Sequence, residues 1–257
     1  MDYKGEHNEE IFIERNAEYA ILLEKNYLLD VVYEYLSKNE HITNLSGFIN
    51  PVWGEKIIYF TYCEKDFVVL SVKGSPVAVN AVERVKRTGG KYLALIGTCG
   101  STNVEIKDGT FILSIAAVRD ENVSSGYLNM NVPAIADLKL TNCIKNELEK
   151  NDIFPITGVT FTTDKRYKED CNTLKFLNEH ANVVNVEMET SAVLLVSAYH
   201  NIKASVIKIV TDCAVIETKG DLKGIYKQKQ RFTDFVNPKI LSAFDATIEA
   251  MLKYETI

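Results

Sequence analysis

Three short segments, far apart in the chain, place hydroxyl or carboxyl side chains directly after apolar runs. The first is IGTCGST, residues 96–102, in which two glycines flank hydroxyl side chains. Glycine lets the backbone approach a ligand closely, so Gly97 and Thr98 are candidates for holding an anion or a sugar hydroxyl. A purely structural turn after a strand is the alternative. The Gly-Lys-Ser/Thr ending of a Walker loop is absent, so the segment does not predict that type of phosphate site.

The second segment is VEMET, residues 186–190, which precedes a run of small and apolar residues at 191–198. This run predicts a helix that is buried on nearly every side, with Glu189 at its mouth. One interpretation is a carboxylate that the helix dipole stabilises. The functional interpretation is that Glu189 accepts hydrogen bonds from sugar hydroxyls while Met188 packs on the sugar face. Glu187 is a candidate for the same ligand, although a structural pair is expected if the chain is still extended there.

The third segment is Asp212, which follows the strongly apolar stretch VIKIV at 206–210. This position predicts a carboxyl group where a sheet meets solvent or a pocket. A turn or helix-capping aspartate is the structural interpretation. In a partly desolvated pocket an aspartic acid stays protonated to higher pH, and it could then donate a proton to a ring nitrogen of a purine.

The composition limits the class of protein and its partners. A chain of 257 residues with 46% hydrophobic content can bury one large core, so residues 1–257 are expected to form a single domain. The net charge of -6 argues against a nucleic-acid partner. The sequence contains neither a signal-peptide pattern nor an apolar stretch of membrane-spanning length, which predicts a cytoplasmic protein without a membrane contact. The five cysteines are scattered without metal-ligand spacing, so we expect reduced thiols and no metal site.

Apolar runs of strand length alternate with helical patterns along the chain. The predicted strands are 57–62, 67–72, 92–96, 110–117, 156–162 and 204–210. The predicted helices are 28–36, 76–87, 138–150, 189–199 and 238–254, and Pro76 suits a first helical turn. Strands separated by helices predict an α/β fold with helices on both faces of a sheet. Ligands of such folds usually bind at strand ends, where Thr98 and Asp212 are expected.

Taken together, these segments resemble the nucleoside phosphorylase superfamily over nearly the full length of the chain. In chain order the matching segments are 45–54 (LSGFINPVWG), 74–83 (beginning GSP), 97–101 (GTCGS), 117–121 (AVRDE), 132–137 (VPAIAD), 158–167 (GVTFTTDKRY), 186–190 (VEMET) and 211–212 (TD). GTCGS and VEMET at this separation are the specific elements. The pattern is closest to the hexameric bacterial-type purine nucleoside phosphorylases, which implies a three-layer α/β/α fold with a central mixed sheet.

The resemblance implies a role for each matching position. Thr98 looks like the residue that touches both phosphate and sugar, and Met188 with Glu189 looks like the ribose clamp. Phe161 matches an aromatic residue that stacks against the base. His7 is at about the right distance before the first strand to match a histidine that reaches the 5′-hydroxyl across a dimer interface. A solvated histidine in a polar terminal segment is the alternative for His7.

The resemblance also implies the reaction and the type of substrate. Asp212 matches the general acid of the purine-specific branch, whereas the Gln and Arg pair of the uridine branch has no convincing counterpart. We therefore expect cleavage of the N-glycosidic bond of a purine nucleoside, which releases free base and, with phosphate, ribose 1-phosphate. Phosphate is a possible co-substrate, and no metal or organic cofactor is implied. The resemblance further implies a homodimer or a homohexamer.

Two positions depart from the phosphorylase pattern. The Gly-Asp-Pro-x-Arg loop after the first strand is replaced by residues 23–28 (LEKNYL), which add a carboxylate, and a second phosphate arginine is replaced by Leu95. An arginine fork to phosphate is charge-assisted and often bidentate, so leucine cannot replace it. Lys73 or Arg119 are candidates for a substitute cation. The alternatives are therefore a phosphate-independent nucleosidase, a uridine phosphorylase-like enzyme, or a non-catalytic nucleoside-binding relative.

Overall fold

The computed structural model describes residues 15–50, 55–215 and 232–255. Within these ranges the chain forms nine strands. They are β1 (Tyr19–Glu24), β2 (Ile57–Tyr62), β3 (Lys65–Val72), β4 (Tyr92–Ser101), β5 (Phe111–Asp120), β6 (Ala134–Ile135), β7 (Ile156–Thr163), β8 (Val183–Glu187) and β9 (Lys203–Cys213). His7, one of the candidate site residues, lies outside the described residues.

Six α-helices lie among the described residues. They are α1 (Asn26–Ser37), α2 (Ser75–Arg87), α3 (Leu138–Glu149), α4 (Cys171–Ala181), α5 (Thr190–Tyr199) and α6 (Asn237–Lys253). A π-helical turn at Phe232–Val236 leads into α6. None of the helices in the described parts of the chain has both the length and the apolar character needed to cross a lipid bilayer.

All nine strands belong to one mixed sheet. The order of the strands is β2-β3-β1-β4-β8-β7-β5-β6, and β9 pairs with both β4 and β5. Strand β1 is parallel to β3 and β4, and β4 is parallel to β9 along most of its length. Because β8 also pairs with the end of β4, the strands β4, β9, β5, β7 and β8 form a closed circuit of pairings.

The helices cover both faces of this sheet and bury it in two hydrophobic clusters. One cluster joins α1, α3 and α6 to one face, and the other joins α2 and α5 to the opposite face. Strand β1 shows how the sequence produces this arrangement: Ile21 and Leu23 point into the first cluster, whereas Ala20 and Leu22 point into the second. A strand buried on both faces is apolar at nearly every position, as is typical of parallel sheets, and in β1 the charged residue is Glu24 at its end.

The structure confirms the predicted α/β/α layers and the central mixed sheet. The strand predicted at 57–62 has the observed bounds, and Pro76 lies in the first turn of α2 as expected. The apolar pattern did not predict strands β1, β6 and β8 or helix α4, although the resemblance implies a first strand before the altered loop at 23–28. Strand β1 has no alternation of polar and apolar residues because both faces are buried, and β8 has only five residues.

The parallel strands bring their carboxyl ends to one edge of the sheet. Residue Glu24 at the end of β1 is in register with Val72 at the end of β3. Strand β4 runs beside β1 and continues through Thr98 to Ser101, and β9 follows it to Asp212. Residues that are 188 positions apart in the sequence, such as Glu24 and Asp212, therefore lie at the same edge.

One prediction concerns the start of α3. The Asp137 side chain accepts a hydrogen bond from the Leu140 backbone N–H at 2.8 Å and caps the helix. We expect Asp137→Ala to lower the free energy of unfolding by about 1 kcal/mol, because one helix-terminal N–H loses its partner. Urea unfolding measures this change. Asp137→Asn should retain most of the stability, and equal losses in both variants would show that the cap contributes nothing.

Candidate active site

A cavity of about 270 Å³ lies at the carboxyl edge of the sheet. It brings together five of the candidate site residues, namely Thr98, Glu187, Met188, Glu189 and Asp212. The same cavity is lined by Glu24, Lys25, Val72, Lys73, Cys99, Gly100, Arg166, Glu169, Val186, Thr211 and Ala214. The three segments that the sequence singled out therefore meet around one space.

The carboxylate of Glu24 lines the cavity and packs against the backbone of Gly97. A β-carbon at position 97 would lie only 2.0 Å from the Glu24 carboxyl carbon. The Thr98 backbone N–H donates to Glu24 Oε2 at 2.8 Å, and the Thr98 hydroxyl lies 3.4 Å from the same oxygen. Gly97 is thus required for close approach, as expected from its type, but the approaching anion is a side chain of this protein.

Beneath Glu24 lies a buried cation, Lys208, on strand β9. Its ammonium group forms ion pairs with Glu24 and with Glu187, the latter at 2.8 Å, and it lies 3.8 Å from Glu189. The Lys208 side chain is fully buried, and the three carboxylates are nearly so. Three carboxylates therefore share one ammonium group, and all four side chains are almost completely buried.

Burial and charge act in opposite directions on these groups. Burial disfavours the ionised form of Glu24, but the positive charges of Lys208 and Lys25 outweigh it and lower the pKa of Glu24. Burial also opposes the charge of Lys208, yet its three carboxylate neighbours raise the pKa of Lys208. For Glu189, burial and the negative charges of Glu24 and Glu187 raise the pKa well above its usual range. Glu24 is consequently ionised at neutral pH, and Glu189 binds a proton more readily.

The two glutamates of VEMET have different tasks. Glu187 Oε2 accepts hydrogen bonds from the backbone N–H groups of Glu189 and Thr190, both at 2.9 Å, so it caps α5. Its other oxygen accepts from the Thr162 hydroxyl at 2.7 Å. Glu189 instead accepts from the Gly74 backbone N–H at 2.5 Å. The structural pair expected for Glu187 is present, with Lys208 as its partner.

Lys25 contributes a second ammonium group to the cavity. Its Nζ donates to the Thr98 hydroxyl at 3.2 Å. Lys25 has a positive φ of 74°, a conformation that non-glycine residues rarely adopt. Burial lowers the pKa of Lys25, Glu24 partly offsets this effect, and the nearby charge of Arg166 lowers the pKa further. A second cation thus contacts the Thr98 hydroxyl.

The mouth of the cavity is more exposed than its base and carries both acidic and basic side chains. Asp212 is exposed, and its Oδ1 accepts from the Thr211 hydroxyl at 2.9 Å. Partial desolvation raises the pKa of Glu169, and the negative charge of Asp212 adds to this effect. Arg166 also lies at this mouth, and its positive charge partly opposes the rise in the pKa of Glu169. Acceptor and donor groups are therefore available to a ligand that enters through the mouth.

Two further candidates lie outside the cavity lining. Phe161 is half-buried on β7 and packs against a small cluster that includes Leu174 and Val186. Arg119 donates to the backbone carbonyls of residues 128, 129 and 132 and to the Ser124 hydroxyl. Arg119 therefore holds the 128–132 loop in place, while Lys73, the other candidate cation, does line the cavity.

The three glutamates could in principle bind a metal ion. One carboxylate oxygen from each of Glu24, Glu187 and Glu189 lies within 4.8 Å of the other two. However, the Lys208 ammonium group already contacts two of these carboxylates and lies 3.8 Å from the third. The positive charge that these carboxylates require is thus supplied by the protein itself.

Comparison with known proteins places this arrangement in a family. The model of the phosphorylase superfamily matches residues 48–245, which is more than half of the chain. The chain belongs to the phosphorylase superfamily. This assignment confirms the resemblance that GTCGS and VEMET indicate.

The similar sequences within the superfamily include enzymes named for different bases. The chain is 27% identical to a guanosine phosphorylase from Halorubrum lacusprofundi over 59% of this chain and 63% of that protein. It is 25% identical to a DeoD-type purine nucleoside phosphorylase from Shewanella denitrificans, over 88% and 89% of the two chains. It is also 25% identical to a uridine phosphorylase from Haemophilus influenzae, over 68% and 69%. Sequence similarity alone therefore does not select a base.

Solved structures show the same fold. A uridine phosphorylase from Vibrio fischeri superimposes with a TM-score of 0.76 at 21% identity and covers 93% of both chains. A Plasmodium knowlesi homologue of the P. falciparum purine nucleoside phosphorylase gives a TM-score of 0.72 at 19% identity, over 94% and 91% of the two chains. The three-layer architecture is thus that of the superfamily.

The sequence reasoning missed several residues of this superfamily site. Lys208 is a lone lysine within the apolar strand sequence SVIKIV, and this mismatch was the available signal. Glu24 was noted only as an added carboxylate in the altered loop. Arg166 and Glu169 lie in a polar stretch between β7 and α4, where the sequence offers no periodicity that would place them at the cavity.

Replacing Lys208 tests whether its positive charge stabilises the buried carboxylates around it. We expect Lys208→Met to lower the free energy of unfolding by about 3 kcal/mol or more at pH 8, because it leaves buried carboxylates without a counter-charge. In the parent, the lowered pKa of Glu24 stabilises the fold at neutral pH, and this contribution is lost as pH falls. Because this loss begins only near the ordinary glutamate pKa of 4.5, the difference between parent and variant should shrink as the pH falls below about 4.5.

Urea unfolding at several pH values measures this difference. Lys203→Met is the matched control, because Lys203 lies on the same strand but its side chain is half exposed. A Lys208→Met variant that is as stable as this control at every pH would contradict the assigned electrostatics.

Proposed function

We propose that the protein cleaves the N-glycosidic bond of a purine nucleoside, with water rather than phosphate as the nucleophile. The proposal combines the superfamily membership of the chain with the charges of its cavity. Free base and free ribose are the products. No metal or organic cofactor is required in this proposal, because side chains supply the charges.

The observation that supports water is the position of the Glu24 carboxylate. It accepts a hydrogen bond from the Thr98 backbone N–H, a donor that the sequence suggested for an external anion. A phosphate dianion that accepted this hydrogen bond would lie in direct contact with the ionised Glu24 carboxylate. The two negative charges would repel each other strongly in a buried site. The leucine at position 95 also removes an arginine that the phosphorylase pattern uses for phosphate.

The carboxylates at the base of the cavity suit both the sugar and the water. Glu189 is placed to accept hydrogen bonds from the ribose hydroxyls, and half-buried Met188 provides an apolar contact for the sugar ring. The attacking water bonds to the anomeric carbon and gives a proton to Glu24, while the Thr98 hydroxyl orients it. Holding these groups in position supplies much of the rate acceleration.

The leaving base requires a proton at the other end of the cavity. As the bond between the anomeric carbon and nitrogen breaks, its electron pair goes to the base. Asp212 then transfers a proton to a purine ring nitrogen. Because Asp212 is exposed at the mouth, solvent can return a proton to it after each transfer. The position of Asp212 at the mouth allows both events.

Phosphorolysis is the second candidate. It is favoured by Lys25, whose ammonium group lies 3.2 Å from the Thr98 hydroxyl, and by Lys73 and Arg166 on the cavity wall. These three cations could hold phosphate if Glu24 took up a proton or moved aside.

Product analysis separates the two reactions. We expect purified protein to release base from purine nucleosides at the same rate with and without phosphate, and to form ribose rather than ribose 1-phosphate. Glu24→Gln should lower this rate by about a hundredfold or more, since an amide cannot accept the proton from water. Base release is followed by absorbance, and the sugar product by chromatography.

The control for this variant is Glu34→Gln, which changes an exposed glutamate on α1 away from the cavity. Release that depends on phosphate and yields ribose 1-phosphate would overturn hydrolysis and select the second candidate. Binding of nucleosides without any turnover under either condition would instead indicate a non-catalytic relative.

The purine preference has its own test at Asp212. We expect Asp212→Ala to lower kcat for purine nucleosides by about a hundredfold, because the imidazole part of a purine loses its proton donor. Uridine has no such ring nitrogen, so any cleavage of uridine should fall far less. Steady-state rates on a panel of nucleosides measure the difference. A uniform decrease across purines and pyrimidines would remove Asp212 from the acid role.

A further inference from the structure

The purine of a nucleoside is a flat ring system, and its faces have to lie against side chains of the cavity wall. Proteins usually hold such rings with aromatic or other planar side chains. Phe161, the aromatic residue expected to stack on the ring, lies outside the cavity lining. None of the lining residues that the structure describes is aromatic. In this part of the chain, a different kind of side chain must therefore contact the faces of the purine.

Arg166 carries the largest planar group among these lining residues. A guanidinium group is flat and delocalised, it is more weakly hydrated than an ammonium group, and it stacks on aromatic rings. The attraction between a cation and the face of an aromatic ring adds to this contact. Arg166 thus offers a flat surface and a positive charge in one side chain.

Arg166 lies at the end of the cavity where the purine is expected. Glu189 is assigned to the ribose at the base of the cavity, whereas Asp212 is assigned to the leaving nitrogen at the mouth. The charges of Arg166 and Asp212 act in opposite directions on the pKa of Glu169, so both residues lie near Glu169. Arg166 is therefore close to the group that protonates the purine.

The guanidinium group of Arg166 is available to a ligand. Arg166 has neither a hydrogen bond nor an ion pair within the described part of the chain, whereas the preceding residue, Lys165, donates to Asp120 Oδ1 at 2.9 Å. The charge of Arg166 also lowers the pKa of Lys25, which contacts the Thr98 hydroxyl. The Arg166 side chain thus extends over the cavity and not away from it.

A cation on the face of the purine also suits the reaction. As the bond between the anomeric carbon and nitrogen breaks, its electron pair moves onto the purine, which carries negative charge until the proton arrives. A guanidinium group beside the ring stabilises this charge. An aromatic side chain at the same place would provide stacking without this electrostatic stabilisation.

We propose that the guanidinium group of Arg166 stacks on the face of the purine and is the residue that binds the nucleobase. This inference rests on the proposed function, because it adds a base-binding residue to the same site. Arg166 contributes in two ways: its plane contributes affinity for the ring, and its charge contributes to the rate.

Calorimetry with adenine and hypoxanthine tests the stacking without turnover. We expect Arg166→Ala to weaken the binding of both bases by about tenfold, which is the usual effect of losing one stacking contact. Arg166→Lys should show a similar loss, because an ammonium group has the charge but not the plane. Arg166→Phe should bind both bases nearly as tightly as the parent. Lys168→Ala is the matched control, since Lys168 is an exposed lysine of the same loop that does not line the cavity.

Steady-state rates on purine nucleosides separate the two contributions of Arg166. Arg166→Phe should keep the KM of the parent and lower kcat by about tenfold, because the ring stacks but does not stabilise negative charge on the purine. Arg166→Lys should raise KM and lose less in kcat than Arg166→Phe does.

Two results would overturn the inference while the proposed reaction stands. One is equal affinity of the parent and all three Arg166 variants for the bases. The other is affinity that Arg166→Lys keeps and Arg166→Phe loses, since charge alone would then matter. The expected pattern of affinities would support stacking whether water or phosphate is the nucleophile. A parent that binds neither base would overturn the purine assignment and this inference with it.

Discussion

The buried ammonium group of Lys208 is the contact on which the rest of the site depends. Three carboxylates from β1, β8 and the start of α5 converge on it or lie close to it, and none of them could remain ionised there without a cation. The same group links strand β9 to the start of α5, where Glu189 lies. Positioning of the carboxylates and stability of this sheet edge are therefore two effects of one interaction.

This interaction also explains how a phosphorylase superfamily fold can present a different reaction surface. The backbone N–H of Thr98 is kept, but its acceptor is the internal carboxylate of Glu24 instead of an external anion. The Lys25 ammonium group lies 3.2 Å from the Thr98 hydroxyl, and Lys73 and Arg166 also line the cavity. The Glu24 carboxylate thus takes the Thr98 N–H that an external anion would otherwise use, which is the basis on which we propose water as the nucleophile.

Much of the fold was predictable, because long apolar strands and amphipathic helices have clear periodicities. Thr98, Glu189 and Asp212 were also identified from their positions after apolar runs, and the structure places them at one cavity. Phe161 shows where this reasoning ends. On β7 the neighbouring Thr160 and Thr162 are buried, and the phenyl ring packs beside Leu174 and behind Val186, which lines the cavity in its place. Pairings such as Lys208 with Glu24 join strands 184 residues apart, and no local pattern encodes them.

The close packing of Gly97 against Glu24 has a consequence for how this protein can change. A side chain at position 97 would require the carboxyl group of Glu24 to move aside. Such a movement would draw this carboxylate away from Lys208 and leave the ammonium group with one fewer close counter-charge. Positions 24, 97 and 208 are therefore coupled, so that a substitution at one of them changes the energetic effect of a substitution at the others.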